Sequence, residues 1–335
     1  MPSGGGGRRR AVPAEAQEEK ANAIGPTSEP PEVNWPPSST KPLRGQVAVV
    51  AGGTRGAGRA IAVSLGIAGA TVYVTGRSTT SHLATAGRAE TIQETAAIIR
   101  AAGGQAFPIR VDHTVEPEVR RLFHRIEREQ SGRLDILVND IWGGEELTEW
   151  GKPPWKMSWT LGRRMLERAV FTHLITSRYG VPLMVRRRKG LVLEVTDGDH
   201  QMYRGSLYYD LVKVSVIRLA LALHEEFEEA KLRRLSAVAV TPGFLRSEFM
   251  LDQFDVKEEN WREGLSRAPP YFRYSETPYY LARGVVALAS DPTVHRFSGQ
   301  VLGSWALARE YGFTDRDGTR PDWGKVFYSE IASRK

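Results

Sequence analysis

Tyr209 and Lys213 stand four residues apart and have the types needed for proton transfer. On a helix, residues at i and i+4 share a face. A free phenol has a pKa of about 10, poor for exchanging protons near neutrality. A neighbouring ammonium stabilises the phenolate and lowers that value, each unit being worth about 1.4 kcal/mol. Such a pair suits protonation of the oxygen that turns negative when hydride reaches a carbonyl carbon. Tyr208 is adjacent but has no lysine at i+4. The same spacing arises in ordinary amphipathic helices, so its meaning depends on its surroundings.

The second group is the glycine-rich stretch AGGTRGAG at 51–58, with Gly52, Gly56 and Gly58 spaced around Thr54 and Arg55. It follows an apolar run and opens a helical pattern. Glycine allows a sharp turn there and lets a diphosphate reach the free N–H groups of the helix N-terminus. The next strand ends VTGRS, without the carboxylate that would accept from a ribose 2′-hydroxyl. Arg77 stands there instead, and with Arg55 it suits a 2′-phosphate. The cofactor expected is NADP(H) rather than NAD(H).

These residues need a frame to hold them. QVAVVAG, ATVYVTG, QAFPIRVD, LDILVND, GLVLEV, RLSAVAVTPG and SGQVLG read as seven short apolar strands. Helical patterns alternate with them, such as Ile61, Leu65 and Ala68 after the first. The expected fold is α/β, a doubly wound Rossmann-like parallel sheet. Residues 1–43 are rich in Gly, Pro, Glu and Ser and are expected to be a disordered tail, with Trp35 its one candidate for docking. The domain is expected over 44–310 and a C-terminal extension over 311–335.

The Gly52/Gly56/Gly58 loop, Asp112, Asn139, Tyr209 with Lys213, and PGFLRS at 242–247 together resemble the short-chain dehydrogenase/reductase family, over about residues 44–305. The C-terminal stretch SGQVLGSWALAREYGFTDRDGTRPDW and the tryptophan-bearing insert after strand four are similar to one branch of it. The resemblance implies a seven-stranded sheet of order 3-2-1-4-5-6-7. It implies that Asp112 bonds the adenine amino group, Asn139 holds strand four and the cofactor, and Pro242-Gly243 passes the nicotinamide. Ser247 would stand where the family often has a cofactor-contacting threonine. Residues 244–275 would form a mobile substrate lid, and the helices of 162–189 and 207–230 the faces of a homodimer or homotetramer.

Two positions depart from the family. Its serine precedes the tyrosine by about 12 or 13 residues, where this chain has Asp197 and Thr196. Its helix-four asparagine, which holds a relay water, falls on Ala169, and Asn-Asn-Ala-Gly becomes NDIWG. An ionised Asp197 would oppose phenolate, whereas a protonated one would donate to a carbonyl. Three readings stay open: Thr196 replaces the serine, Asp197 is repurposed, or hydride transfer is weak or lost. The main expectation is an oxidoreductase interconverting a carbonyl and an alcohol. The alternative is a nucleotide-binding regulatory protein with little catalysis.

Four of the eight tryptophans lie in 142–159. Trp142 is expected to wall the substrate pocket, and Trp150, Trp155 and Trp159 to pack the insert. Phe244 and its aromatic neighbours point to an apolar or aromatic small-molecule substrate. His113, His173 and His200 have no metal-ligand spacing, and no metal is expected. The chain has no cysteine and a formal charge of +7, of which the tail to Arg44 contributes only +1. RRRK at 186–189 reads as a solvated helix end. Acidic residues are interspersed with the basic ones, so nucleic acid is not expected as a partner. No apolar run spans a membrane and no signal-peptide core is present, so the expected location is cytoplasmic.

Overall fold

The computed structural model describes residues 40–199, 202–327 and 329. The expected tail, apart from its last four residues, lies outside the described residues, as do Trp35 and His200. Seven parallel strands form one sheet in the order β3-β2-β1-β4-β5-β6-β7. They are β1 Val47–Ala51, β2 Thr71–Gly76, β3 Gln105–Arg110, β4 Ile136–Asn139, β5 Gly190–Val195, β6 Leu235–Thr241 and β7 Val301–Gly303.

Alternation along the strands feeds two cores. Ala48, Val50, Val72, Val74, Val138 and Leu193 face α1 Gly56–Ile67, α2 Ile92–Ala101 and α8 Pro278–Ser290. Val49, Tyr73, Leu137, Val192 and Ala237 face α3 Glu116–Glu129, α5 Thr172–Arg187 and α6 Leu207–Glu229. Burial on both faces explains why the strands read as continuous apolar runs. The order reverses between β1 and β4, and at such a switch point the crevice beyond the carboxyl ends of the strands receives ligands. Ala51 pairs with Thr75 and Asn139, and Asn139 pairs with Glu194, so the loops after β1, β2, β4 and β5 leave the same edge.

Three further pieces close over that edge. The stretch after β4 leads into α4 Trp159–Leu166, which joins α5 through a π-helical turn at Glu167–Phe171. Such turns widen a helix locally and recur at functional sites. The segment after β6 contains α7 Glu248–Gln253 and two 3₁₀ turns around a small core of Val256, Trp261 and Phe272. Finally α9 Ser304–Tyr311 and α10 Trp323–Val326 bring the C-terminal segment back across the mouth. The arginines of RRRK finish α5: Arg186 pairs with Glu127 at 2.5 Å, and Arg188 donates to the Lys231 carbonyl at 2.9 Å.

Candidate active site

A cleft of about 1000 Å³ runs along the carboxyl edge of the sheet. Gly52, Thr54, Arg55, Gly56, Arg77, Asp112, Trp142, Thr196, Asp197, Tyr209, Lys213, Pro242, Gly243, Phe244 and Ser247 all line it. Gly58 and Asn139 lie behind its wall. The glycine loop is built for close approach. Gly52 has φ +95°, and a Cβ there would fall 2.1 Å from the Asp140 carbonyl oxygen. A Cβ on Gly58 would fall 2.3 Å from the Gly52 carbonyl oxygen. The loop hands its amides to α1, whose N-terminus favours anions. One such anion comes from the chain itself: the Gly56 N–H donates to the Glu248 carboxylate of α7 at 2.8 Å.

The end of the cleft beside the glycine loop and β2 gathers arginines, with Glu90 and Asp112 among them. Arg55 donates to the Thr85 hydroxyl at 3.0 Å, while its Nη1 is buried without a hydrogen-bond partner, 3.7 Å from Glu90. Arg77 projects from the end of β2. Asp112 accepts from the Thr114 amide and hydroxyl at 2.9 and 2.6 Å. Burial opposes its charge, but those bonds and the Arg77 guanidinium hold its carboxyl below the usual range. A third guanidinium arrives from the π-helical turn, where Arg168 donates to the Gly143 carbonyl at 3.1 Å. Its pKa is lowered, first by burial and then by the charges of Arg77 and Arg164.

The reaction end is organised around Tyr209. Ser206 precedes α6, and the helix carries Tyr209 and Lys213 on one face as their spacing requires. The Tyr209 hydroxyl donates to Asp197 Oδ2 at 2.7 Å. The ring meets Trp142 edge-on at 5.5 Å and Trp150 at 5.1 Å. The Lys213 ammonium lies 4.2 Å from the Trp142 ring centre and 5.4 Å from that of Tyr209. Thr196 is buried, and its hydroxyl donates to the Lys213 carbonyl at 2.7 Å. Arg204 braces the turn after β5, donating to the Asp197 carbonyl at 2.6 Å and to Asp210 at 3.0 Å.

This arrangement moves the proton affinities. Contrary to the lowering expected from Lys213, the Tyr209 phenol is raised well above its ordinary value, chiefly by burial and then by the negative charge and hydrogen bond of Asp197. The Lys213 ammonium is lowered, because burial outweighs the attraction of Asp197, Asp140 and Glu145. The Asp140 carboxyl is pushed up to about 7 by burial, against the pull of Lys213 and His173.

Behind the wall, Asn139 donates to Ser177 at 3.1 Å and to Glu194 at 2.8 Å, tying β4 to α5 and β5. His173 faces Glu194 through Nδ1 at 2.6 Å and the Ile141 carbonyl through Nε2 at 3.1 Å. Both ring nitrogens thus have an oxygen partner. His113 sits between the hydroxyls of Thr75 and Thr176 at 2.8 and 2.7 Å, and burial pushes it down to about 3. Among the described residues no group of three or more His, Asp or Glu side chains is placed to hold a metal ion. No helix among them is long and apolar enough to cross a membrane.

Several functional positions had weak signals in the sequence. Of the insert's tryptophans, Trp150 lines the cleft beside Trp142, whereas Trp155 and Trp159 are 82% and 66% exposed rather than packed. A 3₁₀ turn at Pro154–Lys156 is too short to build a core beneath them. The aromatic residues of 244–275 divide: Trp261 and Phe272 fill the segment's own core, while Phe244 and Tyr271 line the cleft. The C-terminal extension adds Trp323 and Phe327 to the same wall, with Trp323 6.1 Å from Phe244. Asp140 and Glu248 also escaped notice, since an isolated charged residue announces nothing until its neighbours are known.

The comparisons agree with this geometry. A family model described as short chain dehydrogenase matches residues 46–258. The chain is 37% identical over 282 residues to the dehydrogenase/reductase SDR family member 1 of Mus musculus, covering 83% of this chain and 85% of the mouse protein. It is 36% identical over 296 residues to the Homo sapiens protein of that name, covering 87% and 90%. Among solved structures, a variant actinorhodin polyketide ketoreductase with NADPH superposes with a TM-score of 0.62 at 22% identity, covering 77% of this chain and 95% of the other.

Proposed function

The chain belongs to the short-chain dehydrogenase/reductase family, Rossmann-fold oxidoreductases that bind NAD(P)(H), and on that premise we propose that it reduces a carbonyl to an alcohol using NADPH. One observation carries the reading. The Tyr209 hydroxyl, bonded to Asp197 at 2.7 Å, shares a cleft with the Lys213 ammonium and the glycine loop. The loop's tight Gly52 turn fits a diphosphate. The Nη1 of Arg55, without a hydrogen-bond partner though 3.7 Å from Glu90, and Arg77 on the same cleft suit a 2′-phosphate. Bound NADPH would supply the hydride.

The chain's own residues then manage the carbonyl oxygen. Tyr209 donates its proton to that oxygen as negative charge develops there. Lys213 stabilises the resulting tyrosinate. Asp197 is the better candidate for the family's serine position, because the Thr196 hydroxyl is already engaged by the Lys213 carbonyl. Its carboxylate orients the phenol and keeps the proton on it. A protonated tyrosine is the form needed for reduction, and a tyrosinate is the form needed for oxidation. The raised phenol keeps the protonated form that reduction requires, while burial and Asp197 also oppose release of that proton. The exposed apolar residues Phe171, Leu174 and Leu211 support self-association through α5 and α6.

One observation favours a second reading, a cofactor-responsive binding protein with little turnover: Ala169 in the π-helical turn offers no side chain to hold a relay water. A single experiment separates the two. NADPH and NADH oxidation are followed over ketones, aldehydes, quinones and dicarbonyls for the natural protein, Asp197→Ser and Asp197→Ser/Ala169→Asn. Turnover by the natural protein, faster with NADPH, is expected. Turnover only by the substituted proteins would leave the binding reading.

A further inference from the structure

Glu276 stands just before α8, wholly buried, and the proposed reaction makes no use of it. Its side chain reaches the end of β6. Oε2 accepts from the Gly243 N–H at 3.0 Å and from the hydroxyl of Ser304, the first residue of α9, at 2.6 Å. Its backbone grips the same stretch: the Glu276 N–H donates to the Phe244 carbonyl at 2.9 Å, and the Glu276 carbonyl accepts from the Arg246 N–H at 2.8 Å. Trp323 packs on this turn as well. A Cβ on Gly243 would fall 2.6 Å from the Trp323 Cβ and 3.0 Å from Glu276 Oε2. Burial pushes the Glu276 carboxyl up to about 8, and its Oε1 has no hydrogen-bond partner. A residue that merely filled this space would be apolar, since burying a carboxyl is costly.

The turn that Glu276 holds bears on the chemistry. β6 lies beside β5, and Thr241 Oγ1 accepts from the Gly198 N–H at 2.8 Å, next to Asp197. Pro242, Gly243 and Phe244 line the cleft with Tyr209 and Lys213. Consider a dinucleotide with its adenosine half beside β2 and its diphosphate on the glycine loop. Its far ring must approach Tyr209, because the hydride goes to the carbon whose oxygen Tyr209 protonates. Residues 242–244 wall that space. We propose that Glu276 is a positioning residue of the reaction end: through the Gly243 N–H it fixes the wall against which the nicotinamide ring is seated. The inference rests on the NADPH reading of this same site. Removing the carboxyl takes the acceptor from the Gly243 N–H and the Ser304 hydroxyl and lets the wall shift. A shift of about 1 Å near reacting atoms can cost about a hundredfold in rate.

The test uses the full-length protein and two ligands, NADPH and 2′-phospho-ADP-ribose. The second keeps the 2′-phosphate and the diphosphate and lacks nicotinamide. Calorimetric titration gives the affinity of each for the natural protein, Glu276→Ala, Glu276→Asp, Glu276→Gln and Thr277→Val. Asp keeps the carboxyl but draws it back by one methylene. Gln is neutral and offers a carbonyl oxygen in the place of Oε2. Thr277→Val removes a neighbouring bond, from the Thr277 hydroxyl to Asp315 at 2.5 Å, and leaves Gly243 alone. Glu276→Ala and Glu276→Asp are expected to weaken NADPH by about tenfold and 2′-phospho-ADP-ribose by less than about twofold, with Glu276→Gln and Thr277→Val close to the natural protein. Should Glu276→Ala fail to fold, judged by its thermal melt, Glu276→Asp carries the test; failure of both to fold marks the role as structural and overturns the inference. Undiminished NADPH affinity, equal losses for the two ligands, no rescue by Glu276→Gln, or the same loss in Thr277→Val also overturns it. NADPH oxidation over the ketone panel reports the reaction separately. If the two affinities split as expected and no ketone is reduced, the carbonyl-reductase reading fails while the positioning role stands.

Discussion

The adenosine end and the reaction end of the cleft lie on one sheet edge and use opposite electrostatics. At the first, Arg55, Arg77 and Arg168 line the cleft with Asp112, Arg55 faces Glu90, and Arg168 is perturbed by burial and then by Arg77 and Arg164. Crowding like charges is unfavourable unless an anion joins them. At the second, burial and then Asp197 raise the Tyr209 phenol, and burial lowers the Lys213 ammonium. The difference shows how a common scaffold separates two tasks. On the proposed function, one end would recognise a fixed anion, and the other would keep a proton where the reaction needs it.

The largest expected effect comes from removing that proton. Tyr209→Phe should lower kcat/KM for NADPH-dependent reduction by about 10²–10⁴-fold, the range for one positioned acid. Cofactor affinity, read by equilibrium titration, should not change, because the adenosine end is untouched. The converse substitutions are Arg55→Ala and Arg77→Ala. Each should weaken NADPH by about tenfold or more while leaving NADH little affected, as steady-state KM values for both cofactors would reveal. Equal losses for the two cofactors would break the contrast between the ends.

The next effect is one of pH. Asp197 places a negative charge beside the phenol, so the phenol holds its proton more tightly and reduction should persist into alkaline solution. Asp197→Ser removes that charge. The alkaline limb of kcat/KM for reduction should then move to lower pH, and an unmoved limb would mean that Asp197 does not govern Tyr209. The smallest effect belongs to the boundary between the ends. Glu248 occupies the Gly56 amide at the N-terminus of α1 with a negative charge. Glu248→Gln keeps the shape and removes the charge, so NADPH should bind about three- to tenfold more tightly, by calorimetry at low salt.

Much of this was legible in the chain. The strand runs, the glycine spacing and the Tyr209–Lys213 interval are local patterns, and their periods correspond to elements directly. The family resemblance rested on their order and was matched by the sheet order. The ambiguity at Thr196 and Asp197 was different in kind. Adjacent residues at a strand end point to opposite sides, and only the packing of β5 against α6 distinguishes the hydroxyl bonded to Lys213 from the carboxylate bonded to Tyr209. Trp150 and Trp323 were missed because an aromatic residue in an irregular segment has no period to declare its side.

The amino-acid sequence by itself determined the doubly wound sheet, the phosphate loop and the tyrosine–lysine helix, since each depends on neighbours a few residues away. Only the tertiary structure decided which charges meet. Glu248 and Gly56 are 192 residues apart, and Arg168 comes to the glycine-bearing turn after β4 from a helix that begins beyond the insert. Coulomb interactions depend on distance through space, and in a folded chain that distance is set by packing rather than by position along the sequence.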